Sequence, residues 1–232
     1  MMAIKGILFD KDGTLIDDVG TWVPSYREIL GELFPGEVEE KFAAIGFDAE
    51  RVEFISGSPV AGGTSREIAS VWWPGLSDAA LAEKIALIDV HYHHVPLKHL
   101  TPLMPLLPLL SALRNDGYRL GIGTNDNIRS TTLHVEKLGI GHLLSAIITA
   151  DTVANAKPAG DMITAFAASL GIAPAEVAMV GDNPQDMLAA RNGGAGLAIA
   201  VLTGASSRAD IAHMADHTLE SVSELPALLK SL

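Results

Sequence analysis

The sequence predicts an α/β fold: a parallel sheet core with an all-helical domain inserted after the first strand. Three observations carry that expectation. A short apolar run, Ile4 to Phe9, opens the chain and flows directly into acids. From Trp22 to about His99 the apolar residues follow helical spacing, with no convincing buried strand. From Leu103 onward short apolar runs alternate with helical patterns, which implies right-handed crossovers and a parallel sheet. The boundaries that follow are 1–17 and 100–232 for the core and 18–99 for the insertion.

Ile4 to Phe9 reads as a buried parallel strand, because both its faces tolerate apolar side chains. Within the insertion, Tyr26, Ile29, Leu30 and Leu33 repeat at helix spacing up to a Pro35-Gly36 break. Val38, Phe42 and Ile45 suggest a second helix, Ser65 to Trp72 a third, and Ser77 to Tyr92 a fourth with Ser77 as its N-cap. Ile55 to Thr64 is rich in turn formers and reads as a flexible loop. In the second half, helices are expected over Leu106 to Asn115, Ile128 to Leu138, Asp161 to Leu170 and Pro184 to Arg191. Strands are expected over Arg119 to Gly123, Ala146 to Thr149, Val177 to Val180 and Leu197 to Leu202. No internal repeat or low-complexity tract is present.

Composition narrows the function. A chain of 232 residues with 48% hydrophobic and 19% charged residues can bury a sizeable core. Its net charge of −12 argues against nucleic acid or an anionic membrane surface as partner. The absence of cysteine excludes disulfides, thiolate catalysis and zinc-thiolate sites. Lys5 and Asp10 interrupt the N-terminal apolar run too early for a secretory signal. The longest apolar stretch, Leu100 to Leu113, carries three prolines and is too short to span a bilayer. The expectation is a cytoplasmic protein, monomer or homodimer.

Four short motifs follow predicted strands: Asp10-x-Asp12-Gly13, Thr124-Asn125, Lys157-Pro158 and Gly181-Asp182-Asn183-x-x-Asp186. A parallel sheet brings such loops to one edge, where open α/β sheets hold their ligands. Their carboxylates, hydroxyl, amide, ammonium and backbone N–H groups suit a phosphate and a hard divalent cation. A carboxylate and a phosphate about 4 Å apart repel by roughly 4 kcal/mol per pair of charges at an effective dielectric of 20. Lys157 alone cannot offset Asp10, Asp12 and Asp182 facing a dianion, whereas Mg²⁺ shared between carboxylate and phosphate oxygens can. With a cation present, Asp10 is a credible in-line nucleophile on phosphorus and Asp12 a general acid and base. Thr124 and Asn125, with Gly13 in the turn, would hold phosphate oxygens, and Lys157 would neutralise growing charge.

In this order the motifs resemble those of the haloacid dehalogenase (HAD) superfamily, in its phosphatase branch with a helical cap after the first strand. Asp10-Lys11-Asp12-Gly13-Thr14-Leu15 is the most specific of them. The resemblance implies a Rossmann-like parallel sheet core with a cap domain, and a phosphatase acting on a small phosphorylated metabolite through an aspartyl-phosphate on the first Asp. It further implies Mg²⁺ bound by the Asp10 carboxylate, the Asp12 main-chain carbonyl and Asp182, with Asp186 one layer out. Phosphoglycolate phosphatase-like members give the nearest likeness. Closure of the cap, hinged near Leu15 to Gly20 and His94 to Thr101, is expected to exclude water.

Other residues have plainer readings. Asp126 is expected to cap the helix from Ile128, and Lys11 to alternate away from Asp10 and Asp12. Trp22, Trp72 and Trp73 are expected in the cap core or at its contact with the sheet domain, His91, His93, His94 and His99 at a solvated helix end, and Arg66 on the surface. Gly193 to Gly196 reads as a helix C-cap turn. Three other activities share part of this pattern. A 2-haloacid dehalogenase would leave Asp12 idle. A phosphosugar mutase, like β-phosphoglucomutase, shares the catalytic pair. A phospho-receiver module has its acid after a middle strand and no inserted domain.

Overall fold

The computed structural model describes residues 3–232; the first two residues of the expected core segment lie outside the described residues. Strand β1 (Gly6–Phe9) is wholly buried and leads through a tight turn into the inserted unit. That unit comprises α1 (Asp18–Leu33), α2 (Val38–Ala44), the two-residue strands β2 (Phe47–Asp48) and β3 (Glu53–Phe54), α3 (Pro59–Gly62), α4 (Ser65–Trp72), α5 (Asp78–Tyr92) and α6 (Val95–His99). The chain then returns through α7 (Leu106–Asn115), β4 (Arg119–Thr124), α8 (Ile128–Leu138), β5 (Leu144–Thr149), α9 (Asp161–Leu170), β6 (Val177–Gly181), α10 (Pro184–Gly193) and β7 (Leu197–Val201). It ends with α11 (Arg208–Ile211), β8 (His217–Leu219) and α12 (Leu225–Ser231).

The six-stranded sheet has the order β5-β4-β1-β6-β7-β8, and every neighbouring pair is parallel. β1 lies between β4 and β6, so its C-terminal end faces the crevice where connections leave in both directions. One face of the sheet packs Ile7, Phe9, Ile122, Val180 and Ile199 against Leu110 and Leu113 of α7. The other packs Leu8, Met179 and Ala198 against Ile163 and Phe166 of α9 and Met187 of α10. Helices on both faces explain why the strands read as continuous apolar runs.

The inserted unit has its own core, built on Trp22, Tyr26, Phe42, Phe47, Phe54, Trp72 and Tyr92. Phe42 and Phe47 stack with ring centres 4.0 Å apart. Two departures from the expected fold lie here. The unit is not entirely helical, since β2 and β3 pair antiparallel, with Phe47 opposite Phe54 turned inward and Glu53 outward. A two-residue ladder is too short to register as alternation. The turn-rich stretch also contains α3, which lies over the sheet's edge. Trp72 is buried in the unit's core as expected, and Ser77 caps α5 through its hydroxyl. Gly194 ends α10 in the left-handed conformation expected of that turn (φ 72°). Among the described residues no helix is long and apolar enough to cross a membrane.

Candidate active site

Four sheet connections deliver the expected residues to one place. β1 ends at Phe9 and hands on Asp10; β4 ends on Thr124; β6 ends at Gly181 and hands on Asp182; the loop after β5 brings Lys157. The Lys157 Nζ donates to Asp10 Oδ1 at 2.6 Å, to Asp186 Oδ1 at 2.7 Å and to the Gly123 carbonyl at 3.0 Å. All three side chains are buried, and these are charge-assisted bonds in a low-dielectric setting. Burial alone would lower the Lys157 pKa, but Asp10 and Asp186 outweigh it and hold the ammonium charged.

Asp10, Asp182 and Asp186 each offer a carboxylate oxygen within 4.8 Å of the others. Burial pushes the Asp10 pKa up to about 7 even with Lys157 beside it. Asp182 is raised well above the usual carboxylate range, first by burial and then by Asp10 and Asp186. Its contacts are neutral donors: Thr14 Oγ1 at 3.2 Å from Oδ1 and the Ala205 N–H at 3.2 Å from Oδ2. Three converging carboxylates with one ammonium form a donor set of hard oxygens short of positive charge, which fits a small divalent cation. Gly13 lets the chain close on this cluster: it has φ +73°, and a Cβ there would lie 2.5 Å from Asp182 Oδ2. Its own N–H, expected at the phosphate, donates instead to the Ile16 carbonyl at 2.9 Å.

Asp12 points away from that cluster. Trp22 Nε1 donates to its Oδ1 at 2.7 Å and Lys11 Nζ pairs with its Oδ2. Burial opposes the charge, but Lys11 and then the Trp22 bond outweigh it, holding the Asp12 pKa below the usual range. Two expectations are corrected at this point. Lys11 does not face away from Asp12: it is buried, paired with Asp12 and 3.1 Å from Asp126 Oδ2. Strand alternation stops at Phe9, so period-two reasoning does not reach residue 11. Asp126 is not the cap of α8: Asn127 takes that place, its Oδ1 accepting from Ser130 N at 2.8 Å, while Asp126 turns to Lys11.

Thr124 and Asn125 both border the cavity, with different commitments. The Thr124 oxygen accepts from the Asp126 N–H at 3.2 Å, leaving its hydroxyl hydrogen to donate. Asn125 is spent on structure. Its Oδ1 accepts from Lys157 N at 2.9 Å, and its Nδ2 donates to the Lys157 carbonyl at 3.0 Å and the Gly62 carbonyl at 2.8 Å. Asn183 Nδ2 likewise donates to the Ala61 carbonyl at 3.1 Å, and its N–H donates to Asp186 Oδ2 at 3.0 Å. Asp186 therefore links the lysine to the β6–α10 turn as well as completing the acidic cluster. The inserted unit is clasped over the sheet by these two asparagines, and about 60 Å³ of cavity remains beneath it. That is room for one small group or a few waters.

Sequence reasoning missed Asp18 as a residue of the site and read Trp22 only as a packing residue. Both line the cavity with Tyr26. Residues 18, 22 and 26 lie four apart on α1, so one helix face carries an acid, an indole N–H and a phenol. That spacing was the available signal. Elsewhere the plainer readings hold: Arg66 is exposed beside Asp78, and His91 and His99 lie near Glu32 and Glu28 at the end of the insertion.

A family model described as "haloacid dehalogenase-like hydrolase" matches residues 4–194. The chain is 32% identical over 231 residues to a phosphoglycolate phosphatase of Chromobacterium violaceum, covering 98% of this chain and 97% of the relative. It is 28% identical over 222 residues to pyrophosphatase PpaX of Bacillus velezensis, covering 96% and 94%. The crystal structure of a hydrolase from Pseudomonas syringae superposes with a TM-score of 0.74 at 22% identity, covering 98% of this chain and 99% of that one; this likeness bears on the fold. With an acid pair after the first strand, a lysine paired with the first of those acids and a family match across most of its length, the chain belongs to the haloacid dehalogenase-like hydrolases.

Proposed function

We propose that the protein is a Mg²⁺-dependent phosphatase that hydrolyses a small phosphorylated metabolite through a phosphoryl group carried on Asp10. The observation that carries this reading is the convergence of Asp10, Asp182 and Asp186 around one lysine, all buried. Asp10, Asp182 and the turn at Asp12 would hold the ion, which when bound neutralises carboxylate and phosphate charge so that anion can approach anion.

The Asp10 carboxylate attacks phosphorus in line, and the bond to the leaving oxygen breaks as Asp12, ionised in the free protein but protonated as the anionic substrate enters, passes that proton to the leaving oxygen. Water then attacks the phosphoryl group, Asp12 takes the water's proton, and Asp10 is regenerated with release of phosphate. Lys157 faces the oxygens on which charge grows, and the Thr124 hydroxyl donates to one of them. Asn125 acts indirectly here, pinning both ends of the Lys157 peptide. The small cavity between the inserted unit and the sheet edge supports a cap that opens to admit substrate and shuts to exclude water. Dehalogenation is disfavoured because it needs no cation and would leave Asp182 buried without counter-charge.

Hydrolysis of an aryl phosphate should require added Mg²⁺ and stop with excess EDTA; EDTA-resistant turnover would overturn the reading. A second expected result concerns Trp22. Trp22→Phe keeps the ring and removes the hydrogen bond that fixes the Asp12 carboxyl in place. It should lower kcat/KM, which reports the first step alone, roughly tenfold for alkyl phosphates, which need a proton on the leaving oxygen. For nitrophenyl phosphate, whose leaving group departs unaided, kcat/KM should change little. Equal losses on both substrates would show that Trp22 acts only in packing.

A further inference from the structure

The lining of the cavity carries a statement about the part of the substrate that is not phosphate. Among the described residues that border it, Lys157 is the only Lys, Arg or His, and it is committed to Asp10 and Asp186. The acids on the same wall are Asp10, Asp12, Asp18, Asp126 and Asp186. Lys11 answers Asp12 and Asp126 from behind the wall. Asp18 has no such ion pair, and burial pushes its pKa well above the usual carboxylate range. Its residue is 6% exposed, its carboxylate accepts no hydrogen bond among the described residues, and its neighbour Asp17 caps α1 in its place.

The cap side of the cavity is Pro59 to Gly63, Ser65 and Ile68, with Tyr26 and Tyr92 beside them. The start of α4, next along the chain, is taken by its own acid: Glu67 Oε2 accepts from the Thr64 N–H at 2.7 Å. Arg66, the nearest guanidinium in sequence, is exposed and lies 3.5 Å from Asp78. One phosphoryl group is therefore provided for, and a second anionic group finds no further cation in the lining.

Resting on the phosphatase reading, we propose that the preferred substrate is a small phosphate ester whose leaving group carries no negative charge and offers a hydroxyl to Asp18. A charged leaving portion is selected against because the lining offers it no second cation, whereas a hydroxyl can pair with the Asp18 carboxyl in either protonation state. This separates the chain's substrate from what the names of its phosphoglycolate phosphatase and pyrophosphatase relatives state for those proteins.

The test is kcat/KM of the full chain with Mg²⁺ on glycerol 3-phosphate, 2-phosphoglycolate, inorganic pyrophosphate and nitrophenyl phosphate. Glycerol 3-phosphate is expected to exceed both doubly anionic compounds at least tenfold. Asp18→Ala, which removes the hydroxyl's partner, is expected to lower kcat/KM for glycerol 3-phosphate about tenfold relative to nitrophenyl phosphate. Phosphoglycolate or pyrophosphate matching or exceeding glycerol 3-phosphate in the unaltered protein would overturn the proposal while leaving the phosphatase reading intact, and that result needs no variant. An Asp18→Ala protein that folds and keeps the wild-type ratio of glycerol 3-phosphate to nitrophenyl phosphate would also overturn it. No turnover of any of the four, nitrophenyl phosphate included, would remove the phosphatase reading and this proposal with it.

Discussion

Asp10→Asn is expected to abolish turnover while making the metal-free protein more resistant to heat. Loss of activity should reach at least about 10⁴-fold, because an amide cannot form the bond to phosphorus and nucleophile deletions cost on this scale or more. The stability gain comes from the same carboxylate. In the folded chain its pKa is raised by burial from 3.8 to about 7, so the native state binds this proton more tightly than the unfolded chain does. No penalty exists below about pH 4, where both states are protonated. The penalty grows between pH 4 and 7, and it is fully present above pH 7. Neutralising the side chain removes it, so at pH 8 in EDTA the variant should melt a few degrees above wild type. Near pH 4.5 the two should nearly coincide. A lower melting temperature for Asp10→Asn at pH 8 would show that its bond to Lys157 outweighs the burial cost.

Why could so much of this site be read before the structure? The residues that carry the chemistry follow strands, and buried parallel strands announce themselves as short apolar runs. Val177–Gly181 and Arg119–Thr124 are of this kind, and Asp182 and Asn125 come immediately after them. Helix limits were legible where a chemical signal marks them, as at Ser77 before α5 or Gly194 after α10. What escaped depends on where the chain goes after a strand stops. Lys11 turns inward because the turn at Gly13 folds residues 10–16 into a knot of backbone bonds, with both Leu15 and Ile16 donating to the Lys11 carbonyl. The clasp between Asn125 and Gly62 joins residues 63 apart, and no local pattern encodes such a contact. β8, three residues long at the sheet's edge, is below the length at which alternation can be recognised.

Lys157→Met should damage both fold and function, and a second substitution should separate the two. Methionine fills similar volume without charge, leaving Asp10 and Asp186 buried with no cation between them. Removing one partner of a buried ion pair costs about 3–5 kcal/mol, most of it the uncompensated charge left behind. Because that charge is the cause, Lys157→Met combined with Asp186→Asn should recover a substantial part of the lost stability in urea titration: one buried carboxylate becomes neutral, and the Asn183 N–H keeps an oxygen to donate to. Activity should not return in the double variant. The ammonium's second task is to face phosphoryl oxygens as charge develops, and losing one such donor costs about 10²–10³ in kcat. Restored folding with activity still depressed would separate the two tasks. Activity returning together with stability would mean that Lys157 serves only to offset its two aspartates, and that charge on the phosphoryl group is met elsewhere in the site.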